Sequence, residues 1–244
     1  MESIYSSESL ENHFEQLIVA NRPVPPKPSY GVDSPIGLAL SGLFFPLYLY
    51  TTKKGKFDTW DKLLDELPND VFNSPALDMG CGRGMVLLKV AERKKKLRTS
   101  SSGTPVAPVY GVDLFINRDQ SGNSPEATFD NAASLKLVEH VALHTASFAE
   151  LPFKDNSMSL VTASLSIHNP DLPVRDKAIS EAARVLKPGG YLIIFELAGY
   201  IGEYKKVLET NGWKDIKSNF GGLQTMFGFW PSQILKARKP TEAS

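Results

Sequence analysis

Cysteine is nearly absent: Cys81 is the only one in 244 residues. An intramolecular disulfide is excluded, a reducing compartment is expected, and stability has to come from a packed core, which a chain of this length can build. Net charge is absent too, with 27 basic residues balancing 27 acidic ones. Global charge therefore makes no case for a polyanionic partner such as nucleic acid. No apolar run reaches the ~20 residues needed to cross a bilayer. The most apolar one, Ile36 to Tyr50, is 15 residues long, contains Pro46 and is followed by Lys53, Lys54 and Lys56. A helical cover packed on the core and a segment lying on a membrane surface are both open to it. Met1 to Glu11 is mostly polar and has no apolar stretch of the kind a secretory signal needs. A cytoplasmic protein is expected, with no stable membrane insertion. No internal repeat, second catalytic domain or metal site is expected, and oligomeric state cannot be read. The third glycine of a dinucleotide turn is also missing, because G-x-G-x-x-G counted from Gly80 lands on Met85.

What is present centres on Ala76-Leu77-Asp78-Met79-Gly80-Cys81-Gly82-Arg83-Gly84. It reads as a buried strand (Ala76 to Met79), a tight turn with glycines at alternate positions, and a helix from about Arg83 to Arg93. Gly80, Gly82 and Gly84 permit a sharp turn and leave no side chain above it, so a flat ligand can lie against bare main chain. A plain strand-to-helix turn with no ligand is the alternative. Asp78 stands at the carboxyl end of the strand and suits a cationic amine. Cys81 is read as a small packing residue, although its place in the turn leaves reactivity open. A second apolar strand, Val109 to Asp113, also ends in an acid, able to accept from two ribose hydroxyls.

Around this motif the chain alternates strand and helix. Further strands are expected near Val141 to His144, Leu160 to Leu165 and Tyr191 to Glu196, with closing strands near Trp213 to Ser218 and Gln233 to Ala237. Helices are expected from Ser124 (N-cap, with Pro125 at the first position) to Leu137, from Pro173 to Leu186 with a stop at Pro188-Gly189-Gly190, and from Gly202 to Thr210. Lys94 to Pro108, with Lys95, Lys96 and Arg98, reads as a solvated loop. Arg118-Asp119-Gln120-Ser121-Gly122-Asn123 reads as a capped surface loop or a pocket wall. Before the first strand, Ser9 to Ala20 has helical spacing with Ser9 as N-cap. Pro23 to Pro28 is an extended linker, the apolar segment breaks at Pro46, and Phe57 to Leu67 is a helix. The pattern is α/β, a doubly wound and mostly parallel sheet.

The glycine triplet, Asp78 and Asp113 together resemble the class I S-adenosylmethionine-dependent methyltransferases, over roughly residues 74–239. Residues 1–73 are then an N-terminal helical cover and 240–244 a tail. The resemblance implies a seven-stranded sheet in the order 3-2-1-4-5-7-6 with strand 7 antiparallel. It also implies S-adenosyl-L-methionine as cofactor, released as S-adenosyl-L-homocysteine. Gly80, Cys81 and Gly82 would back the methionine part, Asp78 would hold its ammonium, Asp113 the ribose, and Leu114 would pack on adenine. Ser147-Phe148-Ala149-Glu150-Leu151-Pro152-Phe153 is similar to the family stretch in which an acid precedes a residue packing on adenine; here Ser147 takes the acid's place and Phe148 would be the packing residue, with a core role as its alternative. Ser164 to Asn169 ends the strand that faces the transferred methyl, and Ser164 is counted with the cofactor residues.

His168 is the titratable side chain nearest the methyl by sequence. It could act as a base, orient substrate, or close the strand end. Tyr48, Tyr50, Thr51 and Thr52 could line the pocket, and Lys56 could meet the cofactor carboxylate. The Asn/Asp-Pro-Pro-Tyr/Phe motif of many base and glutamine methylating enzymes is missing, since the chain reads His168-Asn169-Pro170-Asp171. A small-molecule acceptor is therefore the leading expectation. A protein acceptor, or an inactive cofactor-binding scaffold on the same fold, are the alternatives, and a nicotinamide oxidoreductase is argued against by Met85.

Overall fold

The computed structural model describes residues 3–6, 13–100, 106–117 and 119–241. The expected N-cap Ser9, residue Arg118 and the last three residues of the tail lie outside that set. The sheet has seven strands in the order β3-β2-β1-β4-β5-β7-β6. They are β1 Ala76–Met79, β2 Val109–Asp113, β3 Val141–Thr145, β4 Met158–Ser164, β5 Leu186–Leu197, β6 Ile216–Phe220 and β7 Ser232–Arg238. Strands β1 to β5 pair in parallel, and β7 runs antiparallel to both β5 and β6. This is the expected order.

The two faces of the sheet are read directly from period-two alternation. In β1, Ala76 joins one core while Leu77 and Met79 join the other. In β5, Ile193 and Phe195 join the first core, and Leu192 and Ile194 the second. Helices α4 (Lys56–Asp65), α5 (Met85–Ser100) and α6 (Pro125–Ser134) cover the first face. Helices α7 (Leu172–Val185) and α8 (Ile201–Thr210) cover the second. The Ser124 hydroxyl accepts from the Ala127 N–H, so α6 is capped as its sequence predicts.

Three local expectations are corrected. First, the basic run after Arg93 is not a loop. Helix α5 continues to Ser100 because Lys94 is fully buried and its Nζ donates to the carbonyls of Phe72 and Ser74. Arg93 meanwhile pairs with Asp61 and Asp65 of α4. Second, Pro46 starts a helix rather than breaking one. It sits in the first turn of α3 (Phe45–Tyr50), where its missing N–H costs nothing. From there the chain passes through a wide π turn, Thr51–Gly55, into α4. A Cβ on Gly55 would stand 1.7 Å from the Gln224 carbonyl, so only glycine lets that turn meet the 223–225 loop. Third, Pro188-Gly189-Gly190 lies within β5. Helix α7 stops at Val185 and the chain enters the strand at once, with a register shift against β4.

The N-terminal segment, with α1 (His13–Val19) and α2 (Pro35–Leu40), packs on the sheet unit through shared core and polar ties. Phe14 meets Phe129, Arg22 pairs with Asp130, and Asn131 exchanges hydrogen bonds with the Ser29 backbone.

Burial lowers the Lys94 pKa from its ordinary 10.5 to about 7. Between those values the unfolded chain holds a proton that the folded one has released, so this residue makes stability rise with pH across that window. Lys94→Met is expected to flatten that part of the rise and to cost about 2–4 kcal/mol for the two carbonyls left without a donor. Urea unfolding at pH 7 and pH 9 measures both effects.

Candidate functional site

The site starts from the ends of β1 and β2. Gly80 and Cys81 donate their N–H groups to the Val112 carbonyl, at 2.7 and 3.2 Å, which folds the glycine turn against the neighbouring strand. Gly80, Gly82 and Gly84 all have positive φ (67°, 50° and 85°), where side-chain-bearing residues are strained. They are also needed for space. A Cβ on Gly80 would meet the Ser166 Cβ at 2.3 Å, and one on Gly82 would meet Gln120 Oε1 at 2.4 Å. The room above the turn is thus shaped by Ser166, which the sequence reading did not foresee, and by Gln120, from the loop for which a pocket wall was one of two readings.

Asp113 ties the two loops. Its Oδ2 accepts from the Gly82 N–H at 2.8 Å, and its Oδ1 accepts from the Phe115 N–H at 2.6 Å and from Asn123 Nδ2 at 3.3 Å. Phe115 has φ +54° to bring its N–H back to that oxygen. Burial raises the Asp113 pKa, and the three hydrogen bonds work against that rise.

Asp78 is 2% exposed. Its Oδ2 accepts from the Leu87 N–H of α5 at 2.9 Å, one of the donors a helix start leaves unpaired, and its Oδ1 accepts from the Thr162 hydroxyl at 2.8 Å. Burial, aided by the charge of Asp113, pushes its pKa to about 7. Cys81 is buried and its thiol pKa is driven well up, by burial first and then by Asp113 and Asp78. Cys81 packs in the first core.

The loop after β2 is a clamp, not a free surface loop. Gln120 accepts from the Arg83 N–H and donates to the Tyr30 carbonyl. Ser121 exchanges hydrogen bonds with Val32, and Arg83 Nη1 donates to the Ser121 carbonyl. The N-terminal linker is thereby laid over the glycine turn. Asp33 and Lys56 form an ion pair there, with Nζ 2.6 Å from Oδ1, so Lys56 is already engaged within the protein. Tyr48 donates to the Asp33 carbonyl at 2.8 Å.

These parts enclose a cavity of about 680 Å³. Asp78, Gly80, Cys81, Gly82, Asp113, Leu114, Ser147, Phe148, Ser164 and His168 all line it, as do Tyr48 and Lys56. Tyr50, Thr51 and Thr52 are not among its walls; Thr51 instead donates to the Met226 carbonyl. Ser147 Oγ accepts from the Ala149 N–H, and Ser164 Oγ accepts from the buried indole of Trp60 at 2.9 Å.

Also on the cavity wall, His168 Nδ1 lies 2.6 Å from Glu196 Oε1. Glu196 is fully buried and also accepts from the His168 and Leu197 N–H groups. Sequence reasoning missed Glu196. The available signal was its position, two residues after Ile194 on the buried side of a strand, where a carboxylate needs a partner. Among the described residues no helix is long and apolar enough to cross a membrane, and no group of His, Cys, Asp and Glu could hold a metal.

Comparison with known proteins fits this geometry. Residues 77–194 match the family model described as a methyltransferase domain. Over that stretch, just under half of its length, the chain is similar to this family. It is 32% identical over 155 residues to the ubiquinone/menaquinone biosynthesis C-methyltransferase UbiE of Rickettsia prowazekii (strain Madrid E), a match covering 62% of this chain and 56% of that protein. Against the UbiE of Rickettsia bellii it is 34% identical over 138 residues, covering 57% and 49%. The chain thus spans about half the length of the curated relatives it matches. Its fold is similar to that of geranyl diphosphate C-methyltransferase from Streptomyces coelicolor A3(2), with a TM-score of 0.59, 15% identity, and coverage of 93% of this chain and 98% of that one. A sarcosine dimethylglycine methyltransferase structure from Galdieria sulphuraria has a TM-score of 0.55 and 14% identity, covering 77% and 86%.

Asp78 provides a test of this electrostatic picture. Between its ordinary 3.8 and about 7 the folded carboxyl keeps a proton that the unfolded chain has lost. Its contribution to stability is therefore full below that window and falls as pH rises through it. Asp78→Asn is expected to remove this fall, seen as a flatter urea-unfolding profile from pH 4 to 7. Asp78→Leu, which strands the Leu87 N–H and the Thr162 hydroxyl, is expected to cost about 2–4 kcal/mol.

Proposed function

We propose that this protein is an S-adenosylmethionine-dependent methyltransferase acting on a small-molecule acceptor with substantial apolar surface. The observation that carries the reading is the convergence of two carboxylates, the buried Asp78 and the partly exposed Asp113, on the glycine turn inside a single cavity. Both have raised pKa values because burial denies them solvent. A ligand bringing an ammonium and a pair of hydroxyl donors supplies what they lack, so the residues fit this cofactor. The cavity volume lies in the range usual for small-molecule sites.

In this reading Asp113 accepts from the ribose hydroxyls and Asp78 faces the ammonium. The main chain of Gly80, Cys81 and Gly82 backs the amino-acid portion, and Leu114, Ser147 and Phe148 bound the adenine. Ser164, fixed by Trp60, stands with His168 at the end of the strand nearest the acceptor. When bound, the cofactor supplies a sulfonium methyl whose leaving group is already activated. The chain's own task is then to align the acceptor and keep water away. The N-terminal segment serves as the cover that does this.

The acceptor class follows from the mouth. No charged residue occurs from Ser34 to Thr52 or from Ser218 to Leu235. Ile36, Leu40, Leu114 and Ile116 line the cavity and remain 42–65% exposed. Such a rim favours an apolar guest and offers no charge to a polyanion. The names of the Rickettsia relatives, as C-methyltransferases, support carbon as the first acceptor atom to test.

Isothermal titration with S-adenosylhomocysteine tests the reading. Wild type is expected to bind it and to ignore NADH. Asp113→Asn, which keeps one acceptor oxygen, is expected to weaken binding at least about tenfold, as losing charged hydrogen bonds of ~1.5–3 kcal/mol each requires, and to lower Tm because its NH2 faces an N–H donor that the carboxylate accepted from. A wild type that binds neither ligand would remove the proposal.

A further inference from the structure

The cavity has a second buried charge site that the cofactor reading does not use. It is the pair His168–Glu196, with His168 on the cavity wall and Glu196 behind it. We propose that His168 is the proton acceptor for the methylated group and that Glu196 is its positioning residue, so that the acceptor is a molecule that must lose a proton as it is methylated. This rests on the methyltransferase reading and narrows its substrate class.

The geometry sets the tautomer. Glu196 lies at the end of β5 on the face covered by α7 and α8, with no solvent exposure. Its oxygens accept from the His168 N–H at 3.3 Å, the Leu197 N–H at 2.8 Å and His168 Nδ1 at 2.6 Å. A carboxylate only accepts, so Nδ1 carries a hydrogen and Nε2 of the neutral ring is left with its lone pair. The ring is about one-fifth exposed and borders the cavity. It is carried on the turn after β4, where Leu165 has φ +54° and donates its N–H to the Phe195 carbonyl, which fixes the turn to the neighbouring strand. A merely structural pair would need no such opening to the cavity.

The charges facing this ring come from every side. Glu196 belongs to β5, Asp119 to the loop after β2, and Arg175 to α7, while the Tyr200 ring before α8 packs at 5.6 Å. Tyr204 of α8 is near enough to Glu196 to feel its charge. Burial opposes protonation of His168, but the Glu196 carboxylate outweighs it, and the pKa stands above its ordinary 6.5. The ring is thus a stronger base than a free imidazole. In the step it serves, the acceptor's X–H bond gives its proton to Nε2, its electron pair forms the X–CH3 bond, and the pair of the broken S–CH3 bond stays on sulfur.

The experiment separates this inference from the broader one. S-adenosylhomocysteine is first titrated into wild type, His168→Asn and Glu196→Gln, with Tm as the check on folding. Equal affinities within about twofold are expected; failure of wild type to bind sinks the methyltransferase reading itself. Next, 4-nitrophenol, whose colour reports its ionisation, is titrated into each complex. Wild type is expected to bind it as the phenolate, with an ionisation midpoint at least one pH unit below that of the free dye. His168→Asn should abolish this shift, and Glu196→Gln should reduce it. Should Glu196→Gln fail to fold, Glu196→Asp, which keeps the charge, is expected to retain most of the shift.

Transfer of labelled methyl to 1-naphthol gives the kinetic arm. His168→Asn is expected to lower kcat by ~10²-fold or more with a small change in KM, the range for losing a general base. In Glu196→Gln the acid limb of the pH–kcat profile should move to lower pH, because the neighbouring charge that raises the His168 pKa is gone. A dye that does not bind, or whose ionisation is the same in wild type and His168→Asn, overturns the proposal whatever the transfer assay gives.

Discussion

The Asp113 carboxylate is the constraint on which the cavity depends. It is a partly exposed carboxylate with hydrogen-bond donors from three directions: the glycine turn after β1, the turn after β2, and Asn123. Leaving such a group unpaired costs far more than an ordinary lost contact, so each donor is held in place by the need to satisfy it. Two loops that would otherwise fray independently become one rigid lip. Gln120 then extends the lip outward, accepting from Arg83 and donating to Tyr30, and the N-terminal linker is fastened to the sheet unit by the same stretch of chain. The cover is therefore an extension of the site's own hydrogen bonding.

That coupling explains why an apolar face is left at the mouth. The linker and α2 are held by polar ties at Tyr30, Val32 and Asp33, beneath side chains such as Ile36 and Leu40 that find no core to enter. Leu43 is 98% exposed, and Phe44, half exposed, meets the ring of Phe229. Leaving this much apolar surface in water is unfavourable by roughly 25 cal/mol per Å². A chain that accepts this at the entrance of a cavity gains something when an apolar guest covers it, and the proposed acceptor class follows from that balance.

Most of the sheet was legible because its signals are local. The alternation in Ala76–Met79 and Val109–Asp113, the cap at Ser124 and the glycine turn each depend on residues a few positions apart. The ten expected site residues share one cavity for the same reason, since they sit at the ends of consecutive parallel strands, where open α/β sheets place ligands. What was not legible depends on tertiary partners. Lys94 reads as one more lysine in a basic run until the carbonyls of Phe72 and Ser74 are brought to it. Pro46 reads as a breaker unless the chain is known to start a helix there. Glu196 reads as the polar end of a strand, and only pairing of β4 with β5 shows that it meets His168.

The distribution of charge gives these pieces a common logic. Asp78 and Asp113 line the cavity, and the buried Glu196 stands behind its lining residue His168. In the proposed step the positive charge of a bound sulfonium would be lost as an imidazolium formed on His168. The cavity's net charge does not change during the step. A dry site whose charge is conserved needs no solvent to rearrange around it, which is the condition under which fixed carboxylates stabilise a transition state best. Seen this way, the buried glutamate on β5 belongs to the same electrostatic arrangement as the two aspartates at the glycine turn.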